Sequence, residues 1–217
     1  MSRARTEREP PFLWCGLPTA ELDDRSLAGL GNVLDDEEHG RINRLLRVQG
    51  RRDAIAAHGL RRLLLASLTG RAAESFRFCA DRAGGKPKAA GLPGIDVSLT
   101  HCDGYAAAAA IGMGGRIGID AEPLCRDIEP ELVAAVTAPG KKGVRGAPIV
   151  VWTMQEALTK AEGSGLALNV ERLQIDPCAP RLVAAPEAFG DPAGWKLERH
   201  CHAGFTVAIA LRSRTGR

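Results

Sequence analysis

Apolar positions along this chain follow two spacings, and the switches between them mark the predicted elements. After a charged arm over residues 1–11, Phe12–Leu17 reads as a short strand ended by Pro18. From Asp35 to Leu68 the spacing is helical. Ile55, Leu60, Leu63, Leu64 and Leu68 form an apolar stripe flanked by Arg61 and Arg62, and Gly70 stops the helical block. Phe76–Cys79 and Ile95–Thr100 read as strands. Between them, Gly84, Gly85 and Pro87 punctuate a loop that is expected to leave Lys86 exposed.

The run Tyr105–Gly112, YAAAAAIG, sets two rules against each other. Alanine is the best helix former, yet the run is short and bounded by glycines. Because Ile117–Asp120 reads as a strand just past Gly114-Gly115, the expected arrangement is a hairpin joining the two segments. Residues 123–147 hold a candidate helix, Glu131–Val136, and a basic Gly- and Pro-rich loop. Ile149–Glu162 is a predicted helix closed by Gly163 and Gly165. Leu173–Ile175, Trp195–Arg199 and Phe205–Leu211 read as strands. The order predicts an α+β fold with a similar strand and helix content in each half, though no clean sequence repeat is visible.

Composition narrows the function classes. The 217 residues are 45% hydrophobic and 25% charged, as in ordinary globular proteins. Aromatics are only 4% and the net charge is +3, so neither stacking platforms nor a strongly basic surface argues for nucleic acid. No run approaches the roughly 20 apolar residues of a membrane span, and the N-terminus lacks the apolar core of a signal peptide. A cytoplasmic location is the expectation. The six cysteines are dispersed without a CxxC pair and read as reduced, mostly packed thiols. His200 and His202 share one strand face, which reads as solvated in preference to a metal site because no third ligand lies near in sequence.

Candidate chemistry begins at Asp120-Ala121-Glu122. On an extended segment, residues two apart point the same way, so two carboxylates converge and favour a hard divalent cation between them. Glu156 and Lys160 lie one turn apart on one face of the predicted helix, with Trp152 a turn earlier. Thr100-His101 ends a strand before Asp103-Gly104. Lys86 and Arg52 are further cations. Each feature alone is common: DxE occurs in solvated turns, and an i,i+4 Glu–Lys pair is usually a surface ion pair.

Their order is more specific. Gly85-Lys86-Pro87, Thr100-His101, IGIDAE at 117–122 and WTMQEALTK at 152–160 resemble, in sequence, the motifs of the surfactin-type 4′-phosphopantetheinyl transferases. The upstream Arg51-Arg52-Asp53 and Leu60-Arg61-Arg62 are similar to that family's N-terminal helices. The resemblance covers roughly residues 12–211. It implies a pseudo-dimer of two similar α+β halves, 1–112 and 113–217, each with a small antiparallel sheet packed on helices and a ligand cleft between them. The first half would contact the nucleotide of coenzyme A, and the second would carry the metal site and catalytic helix.

The resemblance further implies that Asp120, Glu122 and Glu156 hold Mg²⁺, with Mn²⁺ as a substitute. Glu156, Lys160 and Asp120 would be catalytic. Arg52, Lys86, Thr100, His101 and Lys160 would bind coenzyme A, with His101 and Arg52 near its 3′-phosphate. The partner would be an acyl or peptidyl carrier protein, met by a monomer. Two positions depart from the family pattern: Gln155 replaces a usual lysine, removing a charge near the phosphates or the carrier, and Thr100 replaces serine. The 123–147 region is also short and glycine-rich. Its Lys141, Lys142 and Arg145 read as a solvated loop or as a contact for an acidic carrier. The alternatives are a homologue that binds without catalysis and a Mg²⁺-dependent phosphoesterase.

Overall fold

In the computed structural model, which describes residues 12–80, 85–131, 134, 148–163 and 172–213, the alternating segments become strands of two three-stranded antiparallel sheets. The first sheet joins β1 (Phe12–Pro18), β5 (Tyr105–Ile111) and β4 (Asp96–Cys102), with β5 in the middle. The second joins β6 (Arg116–Pro123), β10 (Phe205–Arg212) and β9 (Trp195–His202), with β10 in the middle. In each sheet the central strand is the last of the three in chain order. Two short ribbons accompany them: β2 (Phe78–Cys79) with β3 (Lys88–Ala89), and β7 (Gln174–Asp176) with β8 (Arg181–Ala184).

The helical block is two helices, α2 (Asp36–Asn43) and α3 (Val48–Thr69), preceded by α1 (Asp24–Gly31). Asp35 caps α2 in a reciprocal capping box with Glu38. The turn after α2 is held by Arg51, which donates to the Leu45 and Leu46 carbonyls at 2.7 and 3.3 Å. Gly70 closes α3 in the left-handed conformation at φ 70°. The catalytic candidate helix is α4 (Pro148–Glu162). Of the expected helix over 131–136 and the loop to 147, only Glu131 and Ala134 are among the described residues, and residues 164–171, with the expected stop at Gly165, lie outside them. Among the described residues, no helix is long and apolar enough to cross a membrane.

The alanine run is a strand because both of its faces are covered. Ala106, Ala108 and Ala110 pack toward Ala56, Ala57, Leu60 and Leu64 of α3. Tyr105, Ala107, Ala109 and Ile111 meet Ile117 and Ile119 of β6 and Val207, Ile209 and Leu211 of β10. Small side chains let a helix and a second sheet approach the same strand closely, and that burial overrides alanine's helical preference. The expected β5–β6 hairpin is not formed. With β1 and β4 on either side, β5 has no free edge, so the Gly114-Gly115 turn carries the chain into the other sheet, where β6 pairs with β10.

Where the sheets meet, β4 and β6 run parallel, bridged by side chains. Asp96 and Ser98 accept from the Ile117 and Ile119 amides at 2.8 and 3.1 Å, and Thr100 bonds Asp120. Asp53 of α3 accepts from Thr19, Gln49 and the Gly104 amide, which fixes the β4–β5 turn.

Two expectations about side chains change. His200 stacks on Trp14 with ring centroids 4.7 Å apart, and His202 lies 3.0 Å from the buried Tyr105 hydroxyl. This strand face therefore leans on the first sheet instead of being simply solvated, and it gives the buried Tyr105 hydroxyl a partner. None of the six cysteines is in a disulfide, but only Cys15 and Cys102 are partly buried. The others are exposed, at strand ends, in turns or on the outer edge of β9.

Candidate active site

Asp120 and Glu122 extend from the same side of β6, and Gly118 brings α4 to them. A Cβ at Gly118 would lie 1.9 Å from the Ala157 carbonyl oxygen, so only glycine allows the helix this close. Glu156 and Lys160, one turn apart on α4, thereby reach β6. Lys160 Nζ lies 2.7 Å from Asp120 Oδ1, and the Thr100 hydroxyl donates to the same oxygen at 2.9 Å. Asp120 is buried, and its Oδ2 has no partner. Oε1 of Glu156 is likewise buried without one.

The three carboxylates feel one another. Burial, together with the negative charges of Asp120 and Glu122, pushes Glu156 up to about 7 against the opposing charge of Lys160. Burial and Asp120 also raise Glu122, although Arg126 grips it at 2.6 Å. The donor chemistry suits a hard cation: all-oxygen, anionic, with two buried oxygens unsatisfied. As the side chains stand, no three His, Cys, Asp or Glu groups among the described residues are gathered into a ligand set. Glu122 is paired with Arg126 and one Asp120 oxygen with Lys160, while Asp120 Oδ2 and Glu156 Oε1 have no partner among the described residues.

Beside this cluster, a cavity of about 410 Å³ opens between α2, α3, β4 and α4, lined by Arg41, His58, Arg61, Lys86, Ser98 and Lys160 among others. Five of these six can carry positive charge. A wider groove of about 1150 Å³ shares Gly85, Lys86 and Gly163 with it and runs toward Asp96, Arg116 and Glu162. Arg61 and His58 are positioned from below by the buried Glu38, which accepts from them at 2.6 and 2.8 Å and from Arg62 at 2.7 Å. Burial alone would raise the Glu38 carboxyl. The His58 and Arg62 hydrogen bonds and the Arg61 charge outweigh it and hold Glu38 far below the ordinary carboxylate range.

The expected nucleotide contacts need revision. Lys86 is not exposed. Its ammonium bonds Asp96 and the Ile117 carbonyl, clamping the seam between β4 and β6 while its stem lines both spaces, and burial lowers its pKa. Thr100 is buried and committed to Asp120, so it positions that carboxylate. Arg52 lines neither space. It is held at the start of α1 by Asp24 at 3.0 Å and by the Leu22 carbonyl at 2.7 Å. His101 keeps an exposed edge, while burial of the rest of the ring and the nearby His58 and Lys160 hold its pKa below the ordinary value against the charge of Asp53. Gln155 is fully buried, with its amide 3.4 Å from the Leu173 carbonyl, so it meets neither a carrier nor solvent.

Arg41, His58 and Ser98 escaped the sequence reading, and Arg61 entered it as a flank of an apolar stripe and as part of the Leu60-Arg61-Arg62 motif, with no role at the site. Spacing within α3 could have paired His58 with Arg61, but nothing local shows that both face a cavity closed by α4.

Fold and site together define an α+β protein with a carboxylate–lysine cluster at the edge of a basic cleft. No protein-family model and no curated protein matches the chain.

Proposed function

We propose that this protein transfers 4′-phosphopantetheine from coenzyme A to a serine hydroxyl of an acyl or peptidyl carrier protein, releasing 3′,5′-ADP. The observation that carries this reading is the cluster of three mutually repelling carboxylates on β6 and α4, with buried oxygens on Asp120 and Glu156 left unpartnered beside a basic cleft. The ordered motifs around them support it. The identical strand order of the two sheets, each with its helix and ribbon, supports a pseudo-dimer of halves 1–112 and 113–217. On this reading the cleft between the halves takes coenzyme A.

Asp120, Glu122 and Glu156 would hold Mg²⁺, or Mn²⁺ in its place. When bound, the ion neutralises charge on the pyrophosphate oxygens. Lys160 adds a positive charge at the same place, and Thr100 fixes the Asp120 carboxylate through its hydroxyl. Glu156, or a water it orients, would take the proton from the serine as its oxygen attacks phosphorus and 3′,5′-ADP leaves. Arg41 and Arg61 supply the positive lining for the nucleotide phosphates, with His58 and the Lys86 stem completing the wall.

The diversion of Glu122 to Arg126 favours a second reading, a homologue that binds coenzyme A without catalysis. Intact mass separates the two. An apo carrier incubated with the protein, coenzyme A and Mg²⁺ should gain one phosphopantetheine, and Glu156→Ala should abolish the gain. Coenzyme A binding without any gain across a panel of carriers would establish the second reading.

A further inference from the structure

The turn between α2 and α3 exposes apolar side chains that the fold does not use. Leu46 is 95% exposed, Val48 64% and Leu45 38%. They stand among arginines: from His39 to Arg52 the chain carries Arg41, Arg44, Arg47, Arg51 and Arg52 with no acidic residue. The turn is not loose, because Arg51 holds the Leu45 and Leu46 carbonyls. Nor is it remote from the carboxylates. Arg47 reaches Asp103 of the β4–β5 turn at 3.0 Å. Asp103 lies three residues beyond Thr100, roughly 10 Å along an extended chain, and Thr100 touches Asp120.

An apolar knob costs solvation free energy unless a partner covers it. Although Arg41 is paired with Glu37, Arg47 with Asp103 and Arg52 with Asp24, the turn keeps an excess of arginine that favours an anionic partner. We propose that this turn docks the protein whose serine is modified, by receiving the apolar face of an acidic amphipathic helix. The proposal rests on the transferase reading and adds to it where the partner sits: on the first half, beside the β4–β5 turn. An anionic lipid surface would satisfy the same charges. A protein is favoured because a surface joined to the Asp120 end of the cleft delivers a hydroxyl to the carboxylates, which a bilayer does not.

The test titrates apo acyl carrier protein and apo peptidyl carrier protein against the full chain by fluorescence anisotropy, with transfer read in parallel by intact mass. Leu46→Ser and the double variant Arg44→Glu, Arg47→Glu should each weaken carrier binding and raise the carrier KM about ten-fold, the scale of losing a central interface contact. Coenzyme A binding, measured by calorimetry, should stay at the wild-type value in both, which also shows that they fold. Unchanged carrier affinity and KM in the variants would overturn the docking site while transfer stands. Carrier binding that depends on the turn without mass gain would keep the docking site and remove the transferase reading. Absence of binding to either carrier would overturn the docking site. So would vesicles of anionic phospholipid binding through Leu46 while carrier binding ignores it.

Discussion

Two buried charge clusters face each other across the basic cleft, and they are built on opposite principles. In the first half, both oxygens of Glu38 are occupied. His58 and Arg61 share Oε1, while Arg62 and the Asp35 amide share Oε2. Arg62 spends its remaining donors on Asp35 and on the Ala73 and Phe76 carbonyls, and Arg61 Nε is the one buried donor here without an acceptor among the described residues. In the second half, Lys160 and the Thr100 hydroxyl from β4 both bond one oxygen of Asp120, Arg126 on the rim holds Glu122, and two buried oxygens have nothing. Two rigid guanidinium forks can saturate a carboxylate, whereas a single ammonium cannot saturate three. The first cluster is scaffold. The second is held in a state that a cation or phosphate would relieve, as functional sites commonly are.

The largest predicted effect comes from breaking the saturated side. Glu38→Ala leaves Arg61 and Arg62 buried without their carboxylate and should cost about 3–5 kcal/mol, measured by urea unfolding. The sign of its pH dependence follows. The folded-state pKa of Glu38 lies below its unfolded value, so its stabilisation is full above the unfolded value and fades as pH falls toward the folded one. Wild type should therefore lose stability between about pH 5 and lower values, and the variant should lose correspondingly less. An identical acid slope in both proteins would show that Glu38 is not the group concerned.

The contrast also explains what could be read from the chain alone. Alternation found β1, β4 and β10 to within two residues at each end, and parts of β6 and β9, because strand periodicity is local. Side-chain direction within one element was equally legible: Asp120 with Glu122, and Glu156 with Lys160. What failed was everything that depends on a distant neighbour. No local feature says that β5 is already flanked by β1 and β4, so the hairpin with β6 was the natural but wrong inference. The break between α2 and α3 contains neither Pro nor Gly; it is made by Arg51 reaching back to Leu45 and Leu46. Arg52 and Lys86 look like free cations until Asp24 and Asp96 arrive from 28 and 10 residues away. Gly118 was read as part of a motif, and its physical role emerges only when α4 lies against it.

The next effect removes the single inner cation from the unsaturated side. Lys160→Ala should lower kcat for carrier modification about 10²–10³-fold, the usual loss when one positioned donor to a developing charge is deleted. Its unfolding midpoint should stay closer to wild type than that of Glu38→Ala, because Lys160 is partly exposed and water replaces part of what it supplies. A fold that collapses as completely as in the Glu38 variant would erase the distinction between scaffold and site.

The smallest effect is the most discriminating, because it predicts a gain. Glu156 has its folded-state pKa raised to about 7, chiefly by burial and by Asp120. A carboxyl raised on folding binds its proton more tightly in the folded chain, so stability is lost as pH climbs from the unfolded value of about 4.3 through 7. Glu156→Gln keeps the shape and removes the charge. At pH 8 without divalent ions it should melt about 2–4 °C higher than wild type, the shift that ~1 kcal/mol makes in a chain of this size. At pH 4 the two should melt together, since Glu156 is then neutral in both. Adding Mg²⁺ at pH 8 should raise the wild-type midpoint and leave the variant much less affected, because only wild type presents all three carboxylates. A variant that melts below wild type at pH 8 would mean that Glu156 is already satisfied, as Glu38 is, and the two clusters would no longer differ in kind.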